Sequence, residues 1–296
     1  MTARPSLYVA LAEKRYLIER PWGDIPNGGG KVTDVVCDAA GHVFVLLRAD
    51  CYVDKRLPTV IELAPDGRRL AAWGEDIADG HMLSIGPDDR IYVVDRDAHE
   101  VVVFDRSGRR IGGLGQRNQP NAPFNHPCDV AIAPTGDIYV SDGYGASRVH
   151  RFDANGNLIQ TWGTPGNEHG QFSTPHGIWA LADGRVAVTD RENNRLQVFS
   201  ATGALLSVWP DFYQPMDIFQ DASQRLYVTD KVPRLSMLAP RRNVAGALSP
   251  GAERRARHVG RCRGQSLYGG DGPQPADETH TGFLTRSIGA GPNLAQ

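Results

Sequence analysis

The stretch His81–Asp95, HMLSIGPDDRIYVVD, returns three more times along the chain: as CDVAIAPTGDIYVSD at 128–142, HGIWALADGRVAVTD at 176–190 and MDIFQDASQRLYVTD at 216–230. In each copy the opening residue lies fourteen positions before the closing aspartate. A more divergent copy opens at Thr33 and lacks the closing aspartate. The openings are separated by 48, 47, 48 and 40 residues, which is the period of a four-stranded propeller blade.

Each copy predicts the strands of one antiparallel blade. A third apolar run follows the closing aspartate at Val101–Phe104, Val149–Phe152 and Leu196–Phe199. A fourth strand ends at Trp73, Trp162 or Trp209. Hairpin dipeptides join the third and fourth strands at Asp66-Gly67, Ser107-Gly108, Asn155-Gly156 and Thr202-Gly203. Because a blade has two apolar faces, the units must stack around a common axis as an all-β propeller.

The two ends of the chain decide the expected number of blades. Tyr16–Gly23 resembles an outer strand without its three inner partners, so we predict six blades, with 1–29 supplying a strand of the closing blade and 30–240 forming the blade region. After Leu238 the apolar alternation stops, and 241–296 is rich in Arg, Gly, Pro and Ala. This segment is either a disordered tail or, the interpretation we favour, a divergent or frame-altered end. The last blade is therefore expected to be incomplete or disrupted, and the tail mostly irregular.

Composition limits the partners and the location of the protein. A net charge of −2 lacks the positive footprint of nucleic-acid or anionic-membrane binding, so we expect small molecules, peptide-derived substrates or proteins as partners. The apolar stretch Leu7–Leu11 is too short for a secretory segment, and no run approaches transmembrane length. The cysteines lack metal-ligand spacing, and we predict them to be reduced in a cytoplasmic protein: Cys37, Cys51, Cys128 and Cys262.

Two of the copies carry a more specific resemblance. FNHPCDVAIAPTGDIYVSDGYGASRVHRF at 124–152 and FSTPHGIWALADGRVAVTDRENNRLQVF at 172–199 resemble NHL repeats and, through the His after Pro and the Tyr after Ser-Asp-Gly, the peptidyl-α-hydroxyglycine α-amidating lyase family. The resemblance runs from about Gly30 to Asp230. It implies a six-bladed propeller with a catalytic zinc and a structural calcium on its axis. The implied reaction cleaves a carbinolamide into an amide and glyoxylate.

The resemblance also assigns catalytic residues. His81 and His176 match two zinc-binding histidines, and both open their blades, where side chains converge on the axial channel. The third zinc histidine of the family falls on Met216, whose thioether suits Cu(I) better than Zn(II). Tyr144 matches the catalytic tyrosine, and Arg48 matches the arginine that binds the substrate carboxylate.

Further assignments concern calcium, alternative ligands and the repeated aspartates. The calcium site carries over as the carbonyls of Val35 and Leu83 with the carboxylate of Asp217. His126, close to an opening residue, and His258, where a sixth opening is expected, are alternative metal ligands. The repeated aspartates are expected to be structural, with Arg195 and Arg148 as partners: Asp95, Asp142, Asp190 and Asp230.

Secreted animal members of the family carry cysteines near the catalytic tyrosine, where this chain has Asn125 and Gly145, which fits a reducing compartment.

Two alternatives for the function remain open. The leading interpretation is an amidating-lyase-like enzyme that depends on zinc and contains calcium. The alternative is a non-enzymatic NHL-repeat scaffold that binds a protein partner.

Overall fold

The strands predicted from the repeat are present in the computed structural model, which describes residues 7–11, 14–19, 21–26, 30–48, 57–232 and 234–238. Within these ranges the regular elements are 21 β-strands, so the all-β prediction is confirmed. Among the same residues there is no helix with the length and apolar character needed to cross a membrane.

The strands form an N-terminal hairpin and five blades. The hairpin pairs β1 (Leu7–Leu11) with β2 (Lys14–Ile18). Blade 1 contains β3 (Lys31–Cys37), β4 (Val43–Arg48), β5 (Val60–Leu63) and β6 (Arg69–Trp73). Blade 2 contains β7 (Gly80–Ile85), β8 (Ile91–Asp95), β9 (Glu100–Phe104) and β10 (Arg110–Gly115). Each four-stranded blade is antiparallel, with its strands in chain order.

The remaining blades follow the same layout. Blade 3 contains β11 (Asp129–Ile132), β12 (Ile138–Asp142), β13 (Arg148–Phe152) and β14 (Leu158–Trp162). Blade 4 contains β15 (Pro175–Ala180), β16 (Val186–Asp190), β17 (Arg195–Phe199) and β18 (Leu205–Trp209). Blade 5 has three described strands: β19 (Pro215–Gln220), β20 (Leu226–Asp230) and β21 (Arg234–Leu238).

The hydrophobic core lies between successive blades. Phe44 and Leu46 of blade 1 pack in one buried cluster with Leu83 and Val93 of blade 2. Equivalent clusters join blades 2 and 3, 3 and 4, and 4 and 5. Burial of each such side chain contributes about 1.5–3 kcal/mol, so the faces of the sheets hold the blades around the axis.

The junctions between blades use the predicted tryptophans and turn glycines. Gly108 has a φ of 79°, and a Cβ atom there would lie 2.7 Å from the ring of Trp73 in the preceding blade. Trp162 packs on Gly203 in the same way, with a corresponding distance of 2.8 Å. The tryptophan at the end of a fourth strand therefore packs against a turn of the next blade. Only glycine leaves room for the ring at that turn.

The N-terminal strand differs from its prediction. Tyr16–Gly23 was expected to be an outer strand without inner partners, but the strand is Lys14–Ile18 and Leu7–Leu11 pairs with it. The bounds and the hairpin partner therefore differ from the prediction, because the apolar run Leu7–Leu11 was not interpreted as a strand. Trp22 packs against the core of blade 1 and approaches Gly67, which repeats the junction that a fourth strand makes with the next blade.

The described residues form five blades, and the predicted sixth blade is not confirmed. The predicted tail at 241–296 lies outside the described residues, as do His258, Cys51 and Cys262. The last described strand ends at Leu238, where the apolar alternation of the sequence also stops.

The opening residues lie at irregular points of the innermost strands. In blade 2, Gly80 faces Asp95 and Leu83 faces Val93, so His81 and the following residue together oppose one residue of β8. Blade 4 repeats this register around His176. Such bulges bend a strand and change the direction of a side chain. Both histidines therefore leave the regular ladder at the place where the innermost strands surround the axis.

Candidate functional site

Three residues selected from the sequence converge at the axis. The rings of His81 on β7 and His176 on β15 have centroids 4.9 Å apart. The hydroxyl of Tyr144, just after β12, lies 3.1 Å from Nε2 of His81 and 3.2 Å from Nε2 of His176. Residues from blades 2, 3 and 4 thus meet at one phenolic oxygen.

The opposite ring nitrogens fix how the two histidines are oriented. Nδ1 of His81 lies 2.7 Å from the carbonyl oxygen of Cys128, and Nδ1 of His176 lies 2.7 Å from that of Met216. A carbonyl oxygen accepts hydrogen bonds only, so each Nδ1 carries the proton and donates it. Each Nε2 therefore presents a lone pair to Tyr144.

The surroundings keep both imidazoles uncharged. Burial lowers the pKa of His176 to about 3, and the charge of Arg191 acts in the same direction. Burial also holds the pKa of His81 well below its usual range, with further lowering by His176 and Arg48. At neutral pH both rings are therefore neutral, which is the form that binds a metal ion.

The Nε2 atoms of His81 and His176 are the donors that this site offers to a metal ion. A phenolic hydroxyl has one hydrogen, so it can satisfy one of the two Nε2 lone pairs, whereas a cation could satisfy both. In the described part of the chain no three His, Cys, Asp or Glu residues come together as a metal-binding group. Met216 is buried at the equivalent position of blade 5. Two imidazole nitrogens are thus available to a metal ion, one fewer than the three protein ligands usual in a catalytic zinc site.

Two arginines that sequence reasoning missed flank Tyr144. The guanidinium carbons of Arg96 and Arg191 each lie 5.2 Å from the centre of the Tyr144 ring. Nη1 of Arg191 lies 3.3 Å from the Tyr144 hydroxyl. Both arginines directly follow a closing aspartate, the repeat position that Arg48 occupies in blade 1 and Lys231 in blade 5. This recurrence of cations at one repeat position was the signal that could have identified them.

Arg48 lies beside a carboxylate in the structure. Its Nε and Nη2 atoms both donate to Asp79, with a distance of 3.0 Å from Nη2 to Oδ2. Arg96 shares the same carboxylate, through Nη2 at 2.7 Å from Oδ2 of Asp79. Asp79 thus occupies the planar edge of the guanidinium that the resemblance assigns to a substrate carboxylate. Two cations share one anion there, which leaves the local charge positive.

The loop that carries Tyr144 is held by close contacts. A Cβ atom on Gly143 would lie 2.1 Å from the carbonyl oxygen of Pro175, so glycine is required where this loop passes blade 4. Asn125 donates its backbone N–H to Asp142, at 2.8 Å from Oδ2, and its side chain lies against Gly145. Cys128 at the base of this loop is a free thiol, and burial raises its pKa to about 12.

The residues predicted for calcium belong to blades 1, 2 and 5, and the alternative ligand His126 belongs to the connection before blade 3. Val35 and Leu83 lie on neighbouring innermost strands, and Oδ1 of the buried Asp217 accepts the N–H of Ile218 at 2.7 Å. His126 donates its backbone N–H to His99, and the two rings have centroids 4.3 Å apart. The assignment of these residues to metal ions stays a prediction.

The closing aspartates are structural, as predicted. Asp190 accepts hydrogen bonds from the backbone N–H of Ser173 and from Arg195 Nε, the latter at 2.7 Å. The pairing predicted between Asp142 and Arg148 was wrong, because Asp142 lies 3.3 Å from Nε2 of His150, two residues further along β13. Side chains alternate between the faces of a strand, so residues 148 and 150 share one face, and the buried one is His150.

Comparisons with known proteins agree with this architecture. The NHL repeat family matches residues 124–152 and 172–199. The chain is 39% identical over 128 residues to a probable peptidyl-α-hydroxyglycine α-amidating lyase of Caenorhabditis elegans, with 41% of this chain and 37% of that protein covered. It is 28% identical over 233 residues to peptidyl-α-hydroxyglycine α-amidating lyase 1 of Drosophila melanogaster, with 66% of this chain and 42% of that protein covered.

The extent of these matches limits what they show. The chain spans less than half of the length of either relative. A solved structure of a streptogramin B lyase superimposes with a TM-score of 0.56 at 18% identity, covering 73% of this chain and 67% of that one. At that identity the likeness shows the fold alone. The chain is an NHL-type β-propeller, and its relatives include amidating lyases.

Proposed function

We propose that the protein is a carbon–nitrogen lyase that cleaves a carbinolamide of the peptidyl-α-hydroxyglycine type into an amide and glyoxylate. The observation that carries the proposal is the position of the Tyr144 hydroxyl, within 3.1–3.3 Å of the Nε2 atoms of two neutral histidines and of Nη1 of Arg191. The amidating lyases among the similar proteins support the same chemistry.

Tyr144 is the proposed acid–base group. In its ionised, phenolate form Tyr144 takes the proton from the substrate hydroxyl, and the electrons of the broken O–H bond form the carbonyl of glyoxylate. The C–N bond breaks in the same step, and the amide nitrogen takes its electron pair and a proton that Tyr144 returns. Arg191 lies beside the phenolic oxygen, so its positive charge stabilises the phenolate form that accepts the proton.

His81 and His176 are the proposed ligands of the metal ion. A zinc ion bound by their Nε2 atoms would supply Lewis-acid polarisation of the substrate hydroxyl. The protein's own contribution is orientation, because both Nδ1–H groups are bonded to backbone carbonyls of the next blade. Calcium at Val35, Leu83 and Asp217 belongs to the proposal as a structural ion.

The arginines provide the proposed recognition of the substrate carboxylate. Arg48, Arg96 and Arg191 all lie near the histidines, since each of their charges lowers the pKa of His176. Asp79 compensates part of this charge by bonding to Arg48 and Arg96. The remaining positive charge favours a substrate with a carboxylate next to the reacting carbon.

The experiment that tests this proposal measures glyoxylate released from a peptidyl-α-hydroxyglycine by the zinc-loaded protein. We expect Tyr144→Phe to lower kcat by about 10²- to 10⁴-fold, the usual contribution of a general acid–base group, with zinc content unchanged. Tyr139→Phe is the matched control, because Tyr139 lies in the same blade and its hydroxyl bonds to the carbonyl of Ala201. Equal rates for wild type and Tyr144→Phe, or no glyoxylate from zinc-loaded wild type, would contradict the proposal.

A second candidate is a non-enzymatic NHL-repeat scaffold that binds a protein partner. The observation that favours it is Met216 at the position where the lyase resemblance places the third zinc histidine. Purified protein that retains no transition metal and releases no glyoxylate would support this second function.

A further inference from the structure

Two fully buried aspartates have no role in the proposed chemistry. Asp34 and Asp129 are 0% exposed and stand one position after the opening residues of blades 1 and 3. The first carboxylate oxygen of each accepts the N–H of the following residue, at 2.8 Å in both blades. A buried carboxylate is costly unless it accepts several hydrogen bonds, so the second oxygen must also be compensated.

The second oxygen of each carboxylate accepts a hydrogen bond from the next blade. Oδ2 of Asp34 accepts the N–H of Leu83 at 2.9 Å, and Oδ2 of Asp129 accepts the N–H of Ile178 at 2.9 Å. Leu83 and Ile178 lie two positions after His81 and His176, respectively. We call these two contacts the inter-blade bridges. Each one reaches the strand that carries a histidine of the site.

Each histidine in turn bonds to the blade that follows its own. His81 bonds to the carbonyl of Cys128 in blade 3, and His176 bonds to the carbonyl of Met216 in blade 5. Each histidine strand is therefore held on both sides, by an aspartate from the blade before it and a carbonyl of the blade after it. The distances repeat within 0.1 Å between the two halves of the site.

The bulges explain why outside support is needed. Between Gly80 and Leu83 and between Pro175 and Ile178, the regular register of the inner strand is interrupted. A bulged segment has lost ladder hydrogen bonds to its own blade, so its side-chain direction depends on other contacts. Hydrogen bonds to a carboxylate are about twice as strong as neutral ones, which suits this purpose.

We propose that Asp34 and Asp129 are positioning residues for the two histidines, Asp34 for His81 and Asp129 for His176. Their carboxylates fix the strand segment after each bulge, and thereby the direction of each Nε2 lone pair. The consequence for metal binding rests on the proposed function, but the effect on the imidazoles does not. Blades 2 and 4 have Met82 and Gly177 at the aspartate position, so aspartate and histidine alternate from blade 1 to blade 4.

The test uses the metal-free full chain and the ¹⁵N NMR signals of its histidine rings, assigned by single substitutions. Asp129→Asn replaces one acceptor oxygen by an N–H donor, so we expect the His176 ring signals to move clearly more than those of His81, which bonds to the neighbouring Cys128 carbonyl. Asp34→Asn should do the reverse. Asp190→Asn is the matched control, because Asp190 is equally buried in blade 4 but bonds to Ser173 and Arg195. It should leave both histidines unchanged.

Zinc titration gives the second readout. We expect zinc affinity to fall by about 10- to 100-fold in Asp129→Asn and Asp34→Asn, the usual effect of losing a group that orients a metal ligand. Should Asp129→Asn fail to fold, Asp129→Ser keeps a short acceptor that cannot reach both N–H groups, and the same selective shift of His176 is expected. Unmoved His176 signals, or equal shifts of both histidines in either variant, would overturn the proposal. Because no substrate is used, failure here is distinguishable from failure of the lyase assignment.

Discussion

Blades 4 and 5 have almost the same inner backbone but different chemistry. Pro175 faces Asp190 in blade 4, and Pro215 faces Asp230 in blade 5. At the opening position blade 4 has His176 where blade 5 has Met216. Directly after the closing aspartate, blade 4 has a buried Arg191 and blade 5 an exposed Lys231.

Some positions of the repeat build the blades, and others supply the side chains at the axis. Apolar alternation builds the blades, with turn glycines in blades 1 to 4 and closing aspartates in blades 2 to 5. Two other repeat positions, the opening residue and the residue that ends the second strand's motif by following the aspartate, determine what faces the axis. Blade 4 contributes an imidazole and a guanidinium to the Tyr144 hydroxyl. Blade 5 contributes a backbone carbonyl, that of Met216, to His176.

A substitution at position 191 gives blade 4 the cation of blade 5. Arg191→Lys removes a planar group that both stacks on Tyr144 and bonds to its hydroxyl. We expect kcat for glyoxylate release to fall by about 10²-fold, as for other preorganised donors at a developing charge. Lys231→Arg in blade 5 is the control and should change kcat less than twofold. A similar loss in both variants would contradict the division between the blades.

A substitution at position 216 gives blade 5 the ligand of blade 4. Met216→His places an imidazole at the position equivalent to His176, and imidazole suits zinc better than a thioether does. We expect zinc to bind at least about tenfold more tightly, which corresponds to about 1.4 kcal/mol. Competition with a chromophoric chelator measures this change. Weaker binding than in wild type would show that Met216 does not lie where a third ligand is needed.

The opening residue also affects the pH dependence of stability in the metal-free protein. The pKa of His176 is lowered to about 3 in the folded protein and is about 6.5 when unfolded. Between these values the unfolded state binds the proton and the folded state does not. His176 therefore makes the free energy of unfolding fall as pH drops below about 6.5, by at most about 1.4 kcal/mol per pH unit.

Replacing His176 by methionine, the residue at the equivalent position of blade 5, should remove the contribution of His176 to the pH dependence of the free energy of unfolding. Denaturant unfolding of His176→Met at pH 7 and pH 5 should show a smaller difference than wild type does. His169→Met, at an exposed position, is the control and should keep the wild-type difference. An unchanged slope in His176→Met would mean that the folded protein accommodates the imidazolium form.

Much of this architecture could be predicted from residue spacing, and the exceptions have physical causes. The spacing between His81 and Asp95 predicted the blades, and the family resemblance led to Tyr144, which contacts both histidines. Arg191 was missed because an arginine that follows a strand end is usually exposed, whereas this one is buried. The partner of Asp142 was wrong because burial, which decides between two residues on one strand face, is not visible in a single sequence.

Other features depend on contacts that spacing cannot show. The hairpin at Leu7–Leu11 has no counterpart among the copies, so the repeat gave no register for it. Asp79 lies in the connection between blades 1 and 2. It contacts Arg48, 31 residues before it, and Arg96 in blade 2. Such contacts arise from packing around the axis, and no local pattern marks them.

Equivalent positions of blades 2 and 4 are proposed to form one metal-binding site. The transition-metal content of protein purified after zinc supplementation and gel filtration tests this assignment. Wild type should retain a substantial fraction of one metal ion per chain, and His81→Ala combined with His176→Ala should retain none while its blades stay folded. Metal retained in full by the double variant, or absent from wild type, would contradict the claim.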